Sequence, residues 1–248
     1  ASNNKYSFYG GMRATAQMIS YELPLGLGLL CLLLTTGTLR LDEVVRQQAQ
    51  SGVWYVFMHP LPFLLILVSG FAETNRTPFD LAEAEQELVG GFHTEYSSMK
   101  FAMFFLAEYA HMITGSAVLI ALLCGGWAPL PFTSWLADNT AWWAMLIKLA
   151  AYFAKVAAFI GLFMLVRWTI PRFRFDQLMR IAWLSLVPVG IALLAGIATL
   201  TLLGLHRTWW ACLSVNLVVL LGMLWTAART QRPVTGRQED LPDIHVEP

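Results

Sequence analysis

Residues 142–166 read WWAMLIKLAAYFAKVAAFIGLFMLV, and only two side chains in this stretch, Lys148 and Lys155, carry a charge. A helix of about 20 apolar residues is long enough to cross the hydrocarbon core of a bilayer. The length and composition of this stretch therefore predict a transmembrane helix. The shorter core helices of a soluble protein are rarely so apolar.

Five further stretches share this character. Together they predict an all-α fold, a polytopic integral membrane helix bundle with about six transmembrane helices. The spans lie at about 17–37, 53–72, 101–125, 142–166, 181–204 and 208–228. Composition agrees, since 13% of the residues are charged and soluble domains carry about 25%. We expect a membrane domain over residues 1–228 and a tail, rich in proline and charge, over residues 229–248.

Lysine and arginine are distributed unequally between the two sides of these spans. Most of them lie in the head, the 73–100 loop, the 167–180 loop and the tail. Cytoplasmic loops of membrane proteins collect lysine and arginine. The distribution therefore predicts a multi-pass protein of a bacterial inner membrane whose head and tail are cytoplasmic.

Several kinds of site are excluded by the sequence. Cys31, Cys124 and Cys212 lie far apart in apolar runs, whereas zinc and iron–sulfur sites need closely spaced ligands. We therefore expect no metal site. The formal net charge of zero gives no reason to expect a nucleic-acid partner. The pair Gly26-x-Gly28 lacks the strand and the third glycine of a dinucleotide loop, so it indicates helix packing.

Four ionisable residues fall inside predicted spans, namely Glu22, Glu108, Lys148 and Lys155. Each costs about 2.5–3.5 kcal/mol at a helix centre, so such residues usually mark a functional site or pathway. The alternative is that their side chains reach the membrane surface or form structural pairs.

The segment 72–100, AETNRTPFDLAEAEQELVGGFHTEYSSMK, is strongly acidic. Thr77-Pro78 resembles the start of a helix and Gly90-Gly91 its end, so we expect a short helical acidic loop. Closely spaced carboxylates repel one another, which raises the pKa of some of them toward neutrality. The loop is therefore a candidate proton path leading to Glu108 and Glu22. A solvated acidic face or a docking surface for a partner protein would have the same composition.

Three long segments resemble one family. They are residues 1–27, ASNNKYSFYGGMRATAQMISYELPLGL; residues 72–110, AETNRTPFDLAEAEQELVGGFHTEYSSMKFAMFFLAEYA; and residues 168–179, WTIPRFRFDQLM. In order and spacing they resemble the H subunit of bacterial NADH-quinone oxidoreductases, the counterpart of mitochondrial complex I subunit 1. The likeness covers the chain through the fifth span. Family members carry three further helices before the point at which this chain begins.

The resemblance implies the site. It suggests a proton path through eight carboxylates and one lysine: Glu22, Glu73, Asp80, Glu83, Glu85, Glu87, Glu95, Glu108 and Lys155. It also suggests a quinone-binding wall that contains Arg76, Phe101, Phe104 and Phe105.

The resemblance also implies a function, namely a subunit of a proton-translocating NADH-quinone oxidoreductase that takes quinone as substrate and binds no cofactor covalently. FMN and iron–sulfur clusters are expected only in partner subunits of the soluble electron-transfer arm, and the other partners are the membrane arm, quinone and lipid. The alternative is a membrane anchor of a related ion-pumping hydrogenase. A free-standing transporter is less favoured, because no inverted repeat is visible.

Overall fold

The computed structural model describes residues 4–81, 91–128, 141–205 and 208–230, and within them all regular structure is helical. The helices are α1 (Lys5–Thr36), α2 (Leu41–Ser51), α3 (Tyr55–Met58), α4 (Pro60–Glu73), α5 (Met99–Leu123), α6 (Trp142–Thr169), α7 (Phe175–Ile181), α8 (Val187–Leu202) and α9 (Trp209–Thr230). A 3-10 turn, Gly91–Glu95, precedes α5, and a π turn, Ala182–Leu186, joins α7 to α8. The predicted all-α class is confirmed.

Five of the six predicted spans coincide with helices that are long and apolar enough to cross a membrane. These are Lys5–Thr36, Met99–Leu123, Trp142–Thr169, Phe175–Leu202 and Trp209–Thr226. The first helix begins well before the predicted span at residue 17, because Asn4 caps it: the Tyr6 backbone N–H donates to Asn4 Oδ1 at 3.1 Å. The residues predicted as a head therefore continue the first membrane helix.

The prediction of one continuous helix over residues 53–72 is wrong. The chain forms α3, breaks at His59, and resumes as α4, and the shorter α4 spans only about 21 Å. The break has a local cause, since a residue that precedes proline is disfavoured in the helical region, and His59 precedes Pro60. His59 has φ −128° and ψ 64°, outside the α-helical region.

Asn216 of α9 pairs the backbone groups that this break leaves open. Its Nδ2 donates to the carbonyl of Met58 at 3.3 Å, and the Leu61 N–H donates to its Oδ1 at 3.3 Å. Both are needed, because an unpaired backbone group inside a membrane costs several kcal/mol. Asn216 is 2% exposed, so α9 stabilises the break from within the bundle.

Helices α1 and α4 pack together through the centre of the bundle, and α8 lies against α1. A Cβ added at Gly28 would lie 2.8 Å from Cγ1 of Ile66, and one at Gly190 would lie 2.8 Å from Cδ1 of Leu27. Small residues allow this close approach of membrane helices. The interpretation of the glycine pair as helix packing is confirmed for Gly28, whereas a Cβ at Gly26 would meet open space.

The α1–α4 pair has two polar ends. We call the end with Glu22 and Glu73 the acidic end, and the end with Thr35 and His59 the break end. Thirteen residues of α1 separate Glu22 from Thr35, which is about 20 Å along the helix. Apolar side chains such as Leu32 and Ile66 are buried between the two ends.

Candidate functional site

The acidic end is built on a turn that follows α4. The predicted helix start at Thr77-Pro78 is wrong: this segment forms a turn, in which the Phe79 N–H donates to the carbonyl of Arg76 at 2.8 Å. The Leu81 N–H then donates to the carbonyl of Phe79 at 2.9 Å, so residues 77–81 form turns. The rest of the predicted acidic helix, residues 82–90, lies outside the described part of the chain.

Gln17 of α1 contacts this turn at three points and stabilises it. Its Nε2 donates to the carbonyls of Ala72 and Phe79, both at 2.9 Å, and lies 3.2 Å from Asn75 Oδ1. Gln17 is fully buried, so these contacts replace hydrogen bonds that water would otherwise make. A tertiary contact therefore overrides the local helix signal.

One ion pair joins this turn to α5. Arg76 Nε lies 3.5 Å from Glu108 Oε2, and the two side chains are only 14% and 20% exposed. The guanidinium Cζ also lies 4.3 Å from the ring centroid of Tyr109, within range of a cation–π contact. The predicted intramembrane carboxylate Glu108 is thus partly compensated by a cation from the loop.

A second contact runs parallel to the first. Glu73 Oε2, at the end of α4, lies 3.8 Å from His111 Nε2, and both side chains are about half exposed. His111 is three residues from Glu108, hence on the same face of α5. Glu73 and Arg76 therefore both meet this face of α5, where carboxylate, guanidinium and imidazole groups alternate.

Glu22 reaches the same region through a cavity. The cavity has a volume of about 220 Å³, and it is lined by Met18, Tyr21, Glu22, Leu25 and Glu73. Two carboxylates from different helices thus face one space, in which water could connect them. The structure brings together Glu22, Glu73 and Glu108, three residues that the sequence analysis singled out, with Arg76.

Asp80 lies beside a different part of the chain. Its Oδ2 is 3.5 Å from a guanidinium nitrogen of Arg172, which also donates to the backbone carbonyl of Asp80. The Phe173 N–H donates to the carbonyl of Pro78 at 3.4 Å, so the segment before α7 packs on the turn. Asp80 is therefore paired with Arg172, whereas Glu108 is paired with Arg76.

The predicted quinone aromatics form one group of rings at the start of α5. Phe101 and Phe105 have centroids 4.8 Å apart, and His93 lies edge-on to Phe101 at 5.6 Å and to Phe104 at 4.9 Å. Tyr96 adds a further edge contact to Phe104 at 5.0 Å. Phe101 and Phe105 remain 39% exposed, so part of this aromatic surface is open to a planar apolar ligand.

His93 introduces a titratable group among these rings. It is 7% exposed, and burial lowers the pKa of its imidazole, an effect that the Glu108 carboxylate partly offsets. His93 was not predicted as a site residue, although a histidine between the acidic loop and a phenylalanine-rich helix start is visible in the sequence. His111 and Gln17 were not predicted either, and their only signal was a polar side chain beside or within an apolar run.

Lys155 lies apart from the glutamates described above. Its Nζ donates to the carbonyls of Cys124, Gly126 and Ala128 at 2.7, 3.1 and 2.5 Å. The ammonium also lies 4.3 Å from the centroid of a ring of Trp54. A lysine has three N–H donors, and all three are used here. The structure thus gives Lys155 a role in joining α6 to the end of α5, and its place in a proton path stays a prediction.

The remaining predicted carboxylates cannot be placed. Glu83, Glu85 and Glu87, and the side chain of Glu95, lie outside the described part of the chain. The described carboxylates form a chain of facing groups, Glu22 to Glu73 through the cavity and Glu73 to α5 through His111. Such an array of acids and bases can pass protons where water or short side-chain movements connect its members.

Comparison with known proteins identifies the family. Residues 1–198 match the NADH dehydrogenase family. The H subunit of NADH-quinone oxidoreductase from Flavobacterium psychrophilum is 50% identical over 192 residues, which cover 77% of this chain and 55% of the relative. The first H subunit of the same enzyme from Cytophaga hutchinsonii is 48% identical over 192 residues, covering 77% and 55%. NADH-quinone oxidoreductase subunit 8 of Rhodothermus marinus is 46% identical over 199 residues, covering 77% and 58%.

The chain spans little more than half the length of these curated relatives, and the last predicted span lies beyond the matched residues. The matched part contains α1 to α7 and most of α8, and with them every described residue of the acidic end. On this evidence the chain belongs to the NADH dehydrogenase family.

Proposed function

We propose that this chain is a membrane subunit of a proton-translocating NADH-quinone oxidoreductase, in which it forms part of the quinone chamber and of the path that couples quinone reduction to proton pumping. The relatives in this family are named as subunits of NADH-quinone oxidoreductase. The observation that carries the proposal is the acidic end, where Glu22, Glu73 and Glu108 meet a cation and an imidazole from neighbouring elements.

The path in this proposal begins beside the aromatic group at the start of α5. A quinone there would lie against Phe101, Phe104 and Phe105, with Arg76 near enough to Glu108 to respond when the charge of the site changes. Reduction of a quinone to a quinol consumes two protons, so nearby acids must be refilled. Glu108, Glu73 and Glu22 supply titratable groups in sequence, and the acidic loop at Asp80, Glu83, Glu85, Glu87 and Glu95 would extend them.

In this proposal the electrons come from partner subunits. Among the described residues, no group of three potential ligands could hold a metal ion. In our proposal FMN and iron–sulfur clusters belong to partner subunits of a soluble electron-transfer arm, and this chain contacts that arm and the membrane arm. The acidic end and the two chain termini would face the cytoplasm of a bacterium, since the lysines and arginines concentrate on that side.

The test is neutralisation of Glu108 in the intact complex. We expect Glu108→Gln to slow quinone-linked turnover at least several-fold, because a positioned proton-transfer group typically contributes about 10²–10⁴-fold. Glu108→Asp keeps the ionisable group and should retain more activity. Asp176→Asn serves as the matched control, because Asp176 is an exposed carboxylate in the first turn of α7.

Turnover and proton uptake should be measured in membranes together with the subunit content, so that failed assembly is separated from failed chemistry. Equal loss with Glu108→Gln and Glu108→Asp would indicate a packing role. Full activity in both variants would remove Glu108 from the proton path.

A further inference from the structure

A polar cavity opens at the break end, on the side of the bundle opposite the glutamates. It has a volume of about 710 Å³. Charged side chains of α2 and the residue before it line its mouth: Arg40, Asp42, Glu43 and Arg46. Thr35, Tyr55 and Met58, from α1 and α3, also line it, and their positions beside the helix break place them toward the bundle.

Thr35 connects this cavity to His59. Thr35 Oγ1 lies 3.2 Å from His59 Nε2, and its hydroxyl also lies 3.1 Å from the carbonyl of Cys31. His59 itself is fully buried. One hydroxyl therefore both lines the cavity and contacts a buried imidazole.

The second ring nitrogen of His59 has no partner in the described part of the chain. Nδ1 is buried and makes no hydrogen bond there. If the Thr35 hydroxyl donates to Cys31, Nε2–H must donate to Thr35, and Nδ1 then carries a bare lone pair. Buried polar atoms are nearly always hydrogen-bonded, so an orphaned basic nitrogen indicates a site for a proton or a water molecule.

A purely structural role does not account for that nitrogen. The break in the helix needs only Pro60 and the amide of Asn216, which pairs the open carbonyl of Met58 and the N–H of Leu61. The imidazole contributes nothing to those two hydrogen bonds. Tyr55 packs edge-on against the ring, with the two ring centroids 6.4 Å apart, and its hydroxyl donates to Gln47 and not to His59.

We infer that His59 and Thr35 form a proton-transfer site that opens, through the polar cavity, to the membrane face opposite the glutamates. The step uses the other tautomer, in which the proton sits on Nδ1 and the Thr35 hydroxyl turns from Cys31 to donate to Nε2. A hydronium ion in the cavity then gives its proton to Thr35 Oγ1 while the hydroxyl proton of Thr35 passes to Nε2. The products are water, an unchanged hydroxyl and an imidazolium, and the reverse step releases the proton. A charged imidazolium is costly in a buried site, so the proton stays only briefly, as transfer requires.

This inference rests on the proton translocation proposed above. The experiment uses the full-length subunit in its intact complex, reconstituted into sealed vesicles, with quinone reduction and proton translocation recorded together. His59→Gln keeps an N–H that can donate to Thr35 and removes the titratable ring. Thr35→Val removes the hydroxyl while nearly keeping the shape of the side chain, and Thr35→Ser keeps a hydroxyl.

We expect His59→Gln and Thr35→Val each to lower proton translocation at least about three-fold, a modest value for loss of a proton-transfer group. Thr35→Ser should translocate protons nearly as well as wild type. The matched control is Thr36→Val, because the hydroxyl of Thr36 donates to the carbonyls of Leu32 and Thr38 and not to His59.

Unchanged translocation in His59→Gln or in Thr35→Val would overturn the inference. So would a loss in Thr35→Ser as large as in Thr35→Val, since that pattern indicates packing. If His59→Gln fails to assemble, the three threonine variants still decide. Wild-type vesicles that reduce quinone without moving protons would overturn the proposed function as well. An effect of Glu108→Gln without one of His59→Gln would overturn this inference alone.

Discussion

At the acidic end of the α1–α4 pair, the polar side chains in contact are mainly charged. At the break end, the polar groups in contact are mainly neutral amides and hydroxyls. Arg76 faces Glu108 and His111 faces Glu73 at the acidic end. At the break end, Asn216 pairs the open backbone of the helix break, and Thr35 contacts His59. The partners come from different elements, α5 at the acidic end and α9 at the break end, so the difference comes from the side chains that these elements bring to the α1–α4 pair.

Gln48 illustrates the neutral hydrogen bonding at the break end, because its side-chain oxygen and nitrogen both bond to backbone groups. Its Nε2 donates to the carbonyl of Leu122 at 2.9 Å, and its Oε1 accepts from the N–H groups of Tyr55 and Gly125 at 3.3 and 2.9 Å. Neutral hydrogen bonds of this kind hold backbone in a fixed position. At the acidic end, by contrast, the contacts join ionisable groups: Arg76 lies 3.5 Å from Glu108 in a largely buried pair, and His111 lies 3.8 Å from Glu73 in a half-exposed one. The difference suggests that Gln48 and Asn216 fix the backbone at the break end, where only the proposed His59–Thr35 site transfers protons, whereas at the acidic end charged groups contact one another directly.

The comparison requires that the two ends face opposite sides of the membrane, and labelling tests this with an all-or-none result. We expect Gln50→Cys to react with a membrane-impermeant thiol reagent only from outside the cell, and Asp176→Cys only from the cytoplasm. Both positions are exposed, and the native Cys31, Cys124 and Cys212 are buried and should stay silent. Reaction of both variants from one side would contradict the orientation inferred from the charges.

The largest effect on stability is expected at the break end. Asn216→Leu leaves the carbonyl of Met58 and the N–H of Leu61 without a partner, and each unpaired buried group costs about 1–3 kcal/mol. We therefore expect a lower thermal unfolding temperature of the purified complex and less assembled subunit. Ser214→Ala is the control, because the exposed hydroxyl of Ser214 only contacts its own helix at the carbonyl of Ala211. Equal stability of the two variants would show that the break needs no cap.

A smaller effect on stability is expected for the ion pair of the acidic end. Arg76→Leu should destabilise the complex by about 1–3 kcal/mol, because it removes the cation beside the largely buried Glu108 carboxylate. In Glu108→Gln the remaining guanidinium keeps its contact with Tyr109. If the two charges interact, the double variant should be less destabilised than the sum of the single variants, measured as a double-mutant cycle in thermal unfolding. Strict additivity would mean that Arg76 acts through Tyr109 alone.

Much of the fold follows from local sequence signals. Apolar stretches of sufficient length predict five of the helices that can cross a membrane, because that signal depends on composition alone. The break at His59 was missed because its residues are apolar enough to continue a span, although the preference of a pre-proline residue was already readable. The turn at residues 77–81 depends on Gln17, which is more than fifty residues away, and no local pattern contains that information.

The candidate site, like the fold, could be predicted only in part from the sequence. Glu22 and Glu108 were predicted from their positions inside apolar spans, and Glu73 from the acidic segment and the family resemblance. Their partners could not be, since Arg76, His111 and the shared cavity are brought together only by the packing of α1, α4 and α5. The free-energy cost of a charge inside a membrane span does not by itself show that the residue is functional. The cost of the Lys155 charge is compensated by backbone carbonyls.

The smallest expected effect concerns His93, whose titration makes the acidic end sensitive to pH. Burial lowers the pKa of His93 from its ordinary value of about 6.5, with a partial offset from Glu108. The folded state then binds fewer protons at this residue than the unfolded state, so stability rises with pH. The contribution is present above pH 6.5 and is lost as the pH falls below it toward the lower pKa of the folded state.

We therefore expect the thermal stability of the purified complex to decrease between about pH 7.5 and about pH 5.5, with part of that decrease absent in His93→Gln. Each unit of pKa difference corresponds to about 1.4 kcal/mol, so the effect is small and must be read as a difference between two pH profiles. Tyr96→Phe is the control, because it keeps the ring contact with Phe104 and leaves the titration of His93 in place. Parallel profiles for wild type and His93→Gln would show that the buried imidazole does not titrate in this range. The contrast with the break end would then rest on the ion pairs alone.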